Sequence, residues 1–274
     1  MTWGWQAAVV LAAIGLGVGA FGTLVGAGGG FILTPILLLL YPHDSPKTIT
    51  AISLAAVFCN AASGSVAYAR QRRIDLRSGL VFGVATLPGS VAGALAVEHV
   101  GRRVFDAATA AILAGGAGWL FAARRRTTGE HDRGGSPRRL TDAFGTTYAY
   151  HVPLLRGAAM SAVVGFVSTF LGIGGGILHV PLLVGALGFP THVATATSHF
   201  VLAIMAGSAT LTHLATGSLS AEQGLRRAAA LSAGVVVGAQ AGAHASTRIS
   251  GRAIELLLGI AMAALAARLV YAVA

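Results

Sequence analysis

The chain has 274 residues, of which 55% are hydrophobic and only 10% charged, and its mean hydropathy is +0.74. A soluble domain carries about 25% charged residues, so this composition excludes a soluble protein and points to the lipid bilayer as its solvent. The formal net charge is +10, but the basic residues, all Arg except Lys47, fall between apolar runs, which fits the positive-inside rule and argues against a nucleic-acid partner.

Taken in chain order, apolar segments are predicted at roughly 3–21, 29–41, 47–69, 78–98 and 104–123, then 156–171, 176–189, 192–215, 227–246 and 253–273. A span needs about 20 residues. Residues 1–6 lack the basic start of a cleavable signal, so the first segment is expected to remain as a span. The single Cys59 cannot make an intrachain disulfide. The expected fold is all-α, a polytopic helical membrane protein of two homologous halves, 1–123 and 156–274, whose helices break at glycine clusters. Residues 124–155 read as a basic linker between them.

The first cluster, Gly22-Thr23-Leu24-Val25-Gly26-Ala27-Gly28-Gly29-Gly30 with Pro35 after it, recurs at an offset of 146 as Gly172-Ile173-Gly174-Gly175-Gly176, with Thr169 before and Pro181 after. A helix does not run comfortably through three consecutive glycines. Paired interruptions at corresponding places in two halves point to a transporter's binding site. Non-helical backbone at membrane depth survives only inside protein or beside a watery cavity. There the free amides and positive dipole end of the next helix can hold an anion without formal charge. The plainer reading, tight helix crossing alone, is weakened by the matched pair. A dinucleotide fingerprint is excluded because Phe31 stands where a final glycine is needed.

The repeat continues: Thr50-Ala51-Ile52-Ser53 matches Thr195-Ala196-Thr197-Ser198, Gly79-Leu80 matches Gly224-Leu225, and Gly93-Ala94 matches Gly238-Ala239. Arg103 with Asp106, and Arg252 with Glu255, are expected to pair at i,i+3 as interfacial anchors. The densest Arg lies at 70–77 and 124–139, and both loops are expected to be cytoplasmic. If each break only kinks a span, the chain has eight spans and parallel halves, with fourteen Lys/Arg inside and five outside. If the chain re-enters at each break, it has ten segments and inverted halves, and the count is thirteen against six. The apolar stretches 3–41 and 157–189 are too long for one straight span, which favours inversion.

The clusters and the TAxS segments resemble the sulfite exporter TauE/SafE family of membrane permeases. The likeness rests on Gly26 to Gly30 with Pro35, Gly172 to Gly176 with Pro181, Thr195-Ala196-Thr197-Ser198-His199 and the basic loop after the third segment, and runs from about residue 8 to 270. It implies a secondary transporter, an exporter by expectation, in the bacterial inner membrane. It would move sulfite, thiosulfate or organosulfonates by alternating access. Another small anion, such as a carboxylate, stays open, since backbone amides do not tell oxyanions apart. A membrane-embedded enzyme is disfavoured: there is no GxSxG or HExxH, and Ser198 and His199, as helix neighbours, point about 100° apart.

Candidate substrate-binding residues are therefore Gly26, Gly28, Gly29, Gly30, Gly172, Gly174, Gly175 and Gly176, with Ser53, Asn60, Thr195 and Ser198. Ser53 and Asn60 share a helix face, as do His192, Thr195 and His199. Asn60 has a plainer use in bonding a neighbouring helix. The centres of the spans hold no carboxylate, so His179 and His199 are the candidates for coupling anion movement to protons. Their first-half counterparts are Leu33 and Leu54, so that role is asymmetric. His192 reads as a solvated helix entrance, and His213 and His244 as interfacial. No catalytic residue, metal or cofactor is expected. The expected partners are the small anion, the bilayer and protons as coupling ion.

Overall fold

The computed structural model describes residues 4–124, 135–219 and 222–273. The first half is α1 (Trp5–Leu24), α2 (Gly30–Leu40), α3 (Pro46–Arg70), α4 (Leu76–Ala96), a 3-10 turn (Val97–His99) and α5 (Arg102–Arg124). A hairpin of β1 (Ser136–Thr141) and β2 (Thr147–Val152) leads to α6 (Leu154–Phe170), α7 (Gly176–Gly185), α8 (Thr191–Ala215), α9 (Glu222–Ala245) and α10 (Gly251–Val273). Five described helices are long and apolar enough to cross a bilayer: α1, α3, α4 with its 3-10 turn, α8, and α9 from Gly224.

Local chemistry sets the helix starts. Ser45 caps α3, accepting from the Thr48 amide, with Pro46 in the first turn where its missing N–H costs nothing. Asp75 caps α4, accepting from the Ser78 amide at 3.0 Å and hydroxyl at 2.7 Å. At the far end of α2, Arg102 donates to the Leu38 carbonyl at 3.0 Å and clamps Asp106 through Nε at 2.9 Å. This corrects the expected Arg103–Asp106 pair: the i,i+4 spacing lets Arg102 close the ion pair and cap α2 together. Glu255, expected to pair with Arg252, accepts instead from Thr191 Oγ1 at 2.7 Å.

Packing pairs each half with the other. A Cβ on Gly234, Gly238 or Gly242 of α9 would run into the α1 backbone at Ala12, Leu16 and Ala20 in turn. Both series climb together, so α1 and α9 run parallel in a glycine seam of the kind that lets helix backbones close up in lipid. Gly89 and Gly93 of α4 meet Ala162 and Phe166 of α6 in the same way. Between these pairs, α3 and α8 cross. Phe58 covers Gly207, Val57 and Leu202 share a cluster, and Tyr68 lies against His199. As α3 advances, α8 recedes, so the two run antiparallel.

Each glycine cluster is a reversal rather than a kink. Gly29 is folded back against Val18 of α1, where an added Cβ would sit 2.6 Å from Val18 Cγ1. Short α2 then returns towards the end of the molecule where α1 began. There Tyr41 stacks on Arg227 at 3.8 Å, and Asp44 pairs with Arg227 at 2.6 Å.

Two further expectations are corrected. The chain is not purely α-helical, because part of the linker is a β-hairpin. Tyr148, Tyr150 and Val152 alternate inward along β2, a period-2 signal hidden beside the arginines. The hairpin sits on the α3–α4 loop: Arg73 pairs with Asp142 at 3.2 Å, Arg138 with Asp75 at 3.4 Å, and Tyr150 OH donates to Asp75 at 3.1 Å. His213, expected at the interface, is fully buried near the end of α8. The rest of the linker, 125–134, lies outside the described residues.

Candidate functional site

The two glycine loops touch each other at the mid-depth of α3 and α8. An added Cβ at Gly30 would lie 2.5 Å from the Ile173 carbonyl oxygen, and one at Gly176 would lie 2.5 Å from that of Gly26. Gly26 and Gly28 have φ of 77° and 72°, and Gly172 and Gly174 both have 65°. Only glycine takes this left-handed backbone without strain, and Thr195 and Thr50 press on Gly26 and Gly172 besides.

One face of α3 and one of α8 hold these loops. On α3, Ser53 donates to the Gly172 carbonyl at 2.7 Å, Val57 lies against Gly28 and Gly174, and Asn60 donates to the Gly28 carbonyl at 3.0 Å. On α8, Thr195 packs on Gly26, Ser198 donates to the Gly26 carbonyl at 3.2 Å, Leu202 packs on Gly28 and Gly174, and Met205 covers Gly175. The steps of three and four residues put each set on one helical stripe. Thus Ser53, Asn60, Thr195 and Ser198 do converge on the loops, but the hydrogen bonds they donate go to loop carbonyls and to helix backbone. They fix the loops' shape. Interhelical hydrogen bonds in membranes average only about 0.6 kcal/mol, so they specify geometry more than they supply cohesion.

The amides divide into two groups. Ala27 N and Gly28 N both bond to the Gly22 carbonyl, and Gly172 N and Ile173 N bond to Thr169 and Ser168, closing the ends of α1 and α6. Among the described residues, the amides of Gly29, Gly30 and Phe31, and of Gly174, Gly175, Gly176 and Ile177, find no acceptor. These are the first amides of α2 and α7, at the positive ends of both helix dipoles. Oxyanion-binding chemistry is available there, and Ala27 and Gly28 drop out as donors.

The histidines separate. His199 lies in the site: its Nε2 is 3.1 Å from Thr23 Oγ1, and its ring meets Tyr68 edge-on at 5.7 Å. His179 faces away from the glycine loops, towards α6. Its Nε2 is 2.9 Å from Ser161 Oγ, and its ring lies near Phe82. His192 is half-buried at the start of α8. Several contributors were not singled out as site residues from the sequence. Thr34 reaches the Gly172 carbonyl at 2.6 Å, Tyr68 OH donates to the Thr23 carbonyl at 2.7 Å, and Thr23 bonds Asn60 Oδ1 at 3.2 Å. Thr23 was visible only as a repeat marker.

The sulfite exporter TauE/SafE family model matches residues 11–269, which takes in both glycine loops and every helix that holds them. The chain belongs to that family. It is 29% identical over 271 residues to the probable membrane transporter protein YunE of Bacillus subtilis, covering 96% of this chain and 97% of that one. A probable membrane transporter protein of Methanocaldococcus jannaschii is 27% identical over 194 residues, 69% of this chain and 66% of that one. Another from Xylella fastidiosa is 27% identical over 176 residues, 64% and 62% of the two chains. No solved structure gives a significant match. As a TauE/SafE family member with several apolar helices, the protein is an integral membrane transporter.

Proposed function

We propose that the protein is a secondary transporter, working as an exporter, of small sulfur-containing anions such as sulfite, thiosulfate or organosulfonates in the bacterial inner membrane. The observation that carries this reading is the pair of touching glycine loops, where two helix amino ends offer unpartnered amides at mid-depth. The family's description as sulfite exporters supports the substrate class. The two halves form inverted repeats, an arrangement supported by the antiparallel run of the equivalent helices α3 and α8 and by the swapped pairs α1–α9 and α4–α6. Rocking of one half against the other then exposes the loops to each side alternately. The 70–77 loop and the β1–β2 hairpin, packed on each other through Arg73, Asp75, Arg138 and Asp142, form the cytoplasmic face under the positive-inside rule. With the interior negative, the membrane potential drives anion efflux, supplying about 2.3 kcal/mol per charge per 100 mV.

Saturable uptake of radiolabelled sulfite into liposomes holding the purified protein tests this. Unlabelled thiosulfate, sulfoacetate, sulfate and acetate serve as competitors. The expected result is competition by thiosulfate or sulfoacetate and loss of at least tenfold in rate with Gly28→Ala or Gly174→Ala. Flux no greater than in empty liposomes overturns the sulfite assignment, and competition by acetate alone moves the reading to a carboxylate carrier.

A further inference from the structure

We propose that His199 is the proton-binding residue of the carrier, taking its proton on its buried, unpartnered Nδ1, so that proton and anion bind at the first glycine loop together. This rests on the transporter reading above.

The geometry around His199 fixes which nitrogen is vacant. The Asn60 amide nitrogen donates to the Gly28 carbonyl at 3.0 Å, which turns its oxygen to Thr23. Thr23 Oγ1 donates its one hydrogen to that oxygen at 3.2 Å. The contact of 3.1 Å between Thr23 Oγ1 and His199 Nε2 must then run the other way, with Nε2–H donating. The neutral ring therefore carries its hydrogen on Nε2 and presents a bare lone pair at Nδ1. That atom is buried and has no hydrogen-bond partner. Glycine at position 64 makes room for the ring, since a Cβ there would sit 2.5 Å from His199 Cδ2.

A proton arriving from one aqueous side turns the unpartnered Nδ1 into a donor. The adjacent Ser198 already holds the first glycine loop, its Oγ–H donating to the Gly26 carbonyl at 3.2 Å. The imidazolium then lies against the loop whose next amides, Gly29 to Phe31, are unpartnered. A positive charge there favours an anion at those amides, and by linkage a bound anion favours the proton to the same degree. The proton leaves on the opposite side with the anion. For a divalent anion, one proton leaves a net negative charge, and the membrane potential still drives export.

The groups facing the ring leave it as the site's own titrating residue. From α3 come Asn60, Gly64 and the Tyr68 phenol, from α1 Thr23, and from the loop only backbone. Arg73 lies beyond Tyr68, and Asp75 is reached through Thr197, which accepts from its amide at 3.0 Å. His179 is tied through Ser161, which itself bonds the Gly157 carbonyl at 2.7 Å. His213 also has two unpartnered ring nitrogens, but it stands fourteen residues along α8 from His199, roughly 21 Å at the helical rise, far from either loop.

The test compares wild type, His199→Gln, His179→Gln and His213→Gln in liposomes, with the flux of empty liposomes subtracted at each pH. Two readouts are taken: sulfite counterflow at equal pH on both sides, and sulfite uptake with the outside made acidic. Wild type, His179→Gln and His213→Gln should be accelerated at least fivefold by the gradient. His199→Gln should show weaker counterflow than wild type, and the flux it retains should no longer rise with the gradient. Equal acceleration in His199→Gln, or none in wild type that still shows counterflow, overturns the proton site while leaving the carrier reading intact. Absence of wild-type counterflow overturns both. Should His199→Gln fail to fold, Thr23→Val serves instead, since freeing Nε2 from its acceptor should shift the pH midpoint of the gradient response. An unmoved midpoint in folded Thr23→Val counts against the proposal.

Discussion

At the residue scale, the site is governed by what a single added carbon would meet. Gly30 abuts the Ile173 carbonyl and Gly176 abuts the Gly26–Ala27 backbone, whereas Gly17 of α1 has open space around it. Gly30→Ala should therefore force the two loops apart at a cost of about 1–3 kcal/mol and cut transport at least tenfold. Gly17→Ala should be neutral or stabilising by up to about 1 kcal/mol. Thermal unfolding in detergent and liposome flux on the same preparations check both. A Gly30→Ala protein with wild-type melting and flux would mean that the contact between loops is unimportant. The glycine clusters were legible in the sequence because the requirement is local. The partners of Ser53 and Asn60 were not, because a hydroxyl or amide in an apolar run gives no sign of which carbonyl it will reach. Asn60 in fact does what polar groups in membranes most often do, bonding backbone on another segment.

At the element scale, the two short helices and the β-hairpin differ in how they could be read. The breaks at α1–α2 and α6–α7 were expected from glycine and segment length. The hairpin was not, because Arg138 and Arg139 and the arginines before them mask an alternation only a few residues long. Its attachment rests on a buried carboxylate. Burial raises the Asp142 pKa, but the amides of Thr146 and Phe144 together with Arg73 more than offset it, and the net shift is downward. A carboxyl whose folded pKa lies below its unfolded value stabilises the folded state above that unfolded value, 3.8 here. The contribution is lost only as pH falls through the lower, folded one. Hairpin docking should thus be insensitive to pH between 5 and 8 and weaken below about pH 4. Burial and the neighbouring Asp75 carboxylate raise the Tyr150 pKa, so its hydroxyl stays a donor throughout. Arg73→Leu strands Asp142 without its counter-charge and should cost on the order of 3 kcal/mol. Limited proteolysis of the hairpin at pH 7 would register this as faster cutting. Cutting at the wild-type rate would show that the ion pair does not hold it.

At the scale of the whole molecule, the halves are interleaved: each supplies a helix to the other's seam, and the two loops meet where α3 and α8 cross. The 70–77 loop and the hairpin emerge at one end, and Asp44, Arg102 and Arg227 gather at the other. On a Cys59→Ser background, cysteines at Arg72 and His151 should react with a membrane-impermeant maleimide from the same side of the membrane, and cysteines at His43 and Gly217 from the other. Labelling of Arg72 and Gly217 positions from one side would break the inverted arrangement. The bilayer as solvent, the repeated motif and the two interruptions are readable from contiguous chain alone, because hydropathy, residue spacing and helix-breaking are local properties. Charge counts of thirteen against six or fourteen against five left the direction of each half undecided. That α3 and α8 run opposite ways, and that His199 rather than His179 lies beside the first glycine loop, is legible only once the helices are packed. Those facts depend on which apolar faces meet, and in lipid nearly every face is apolar, so the pairing follows from glycine-to-backbone fit between segments distant in the chain.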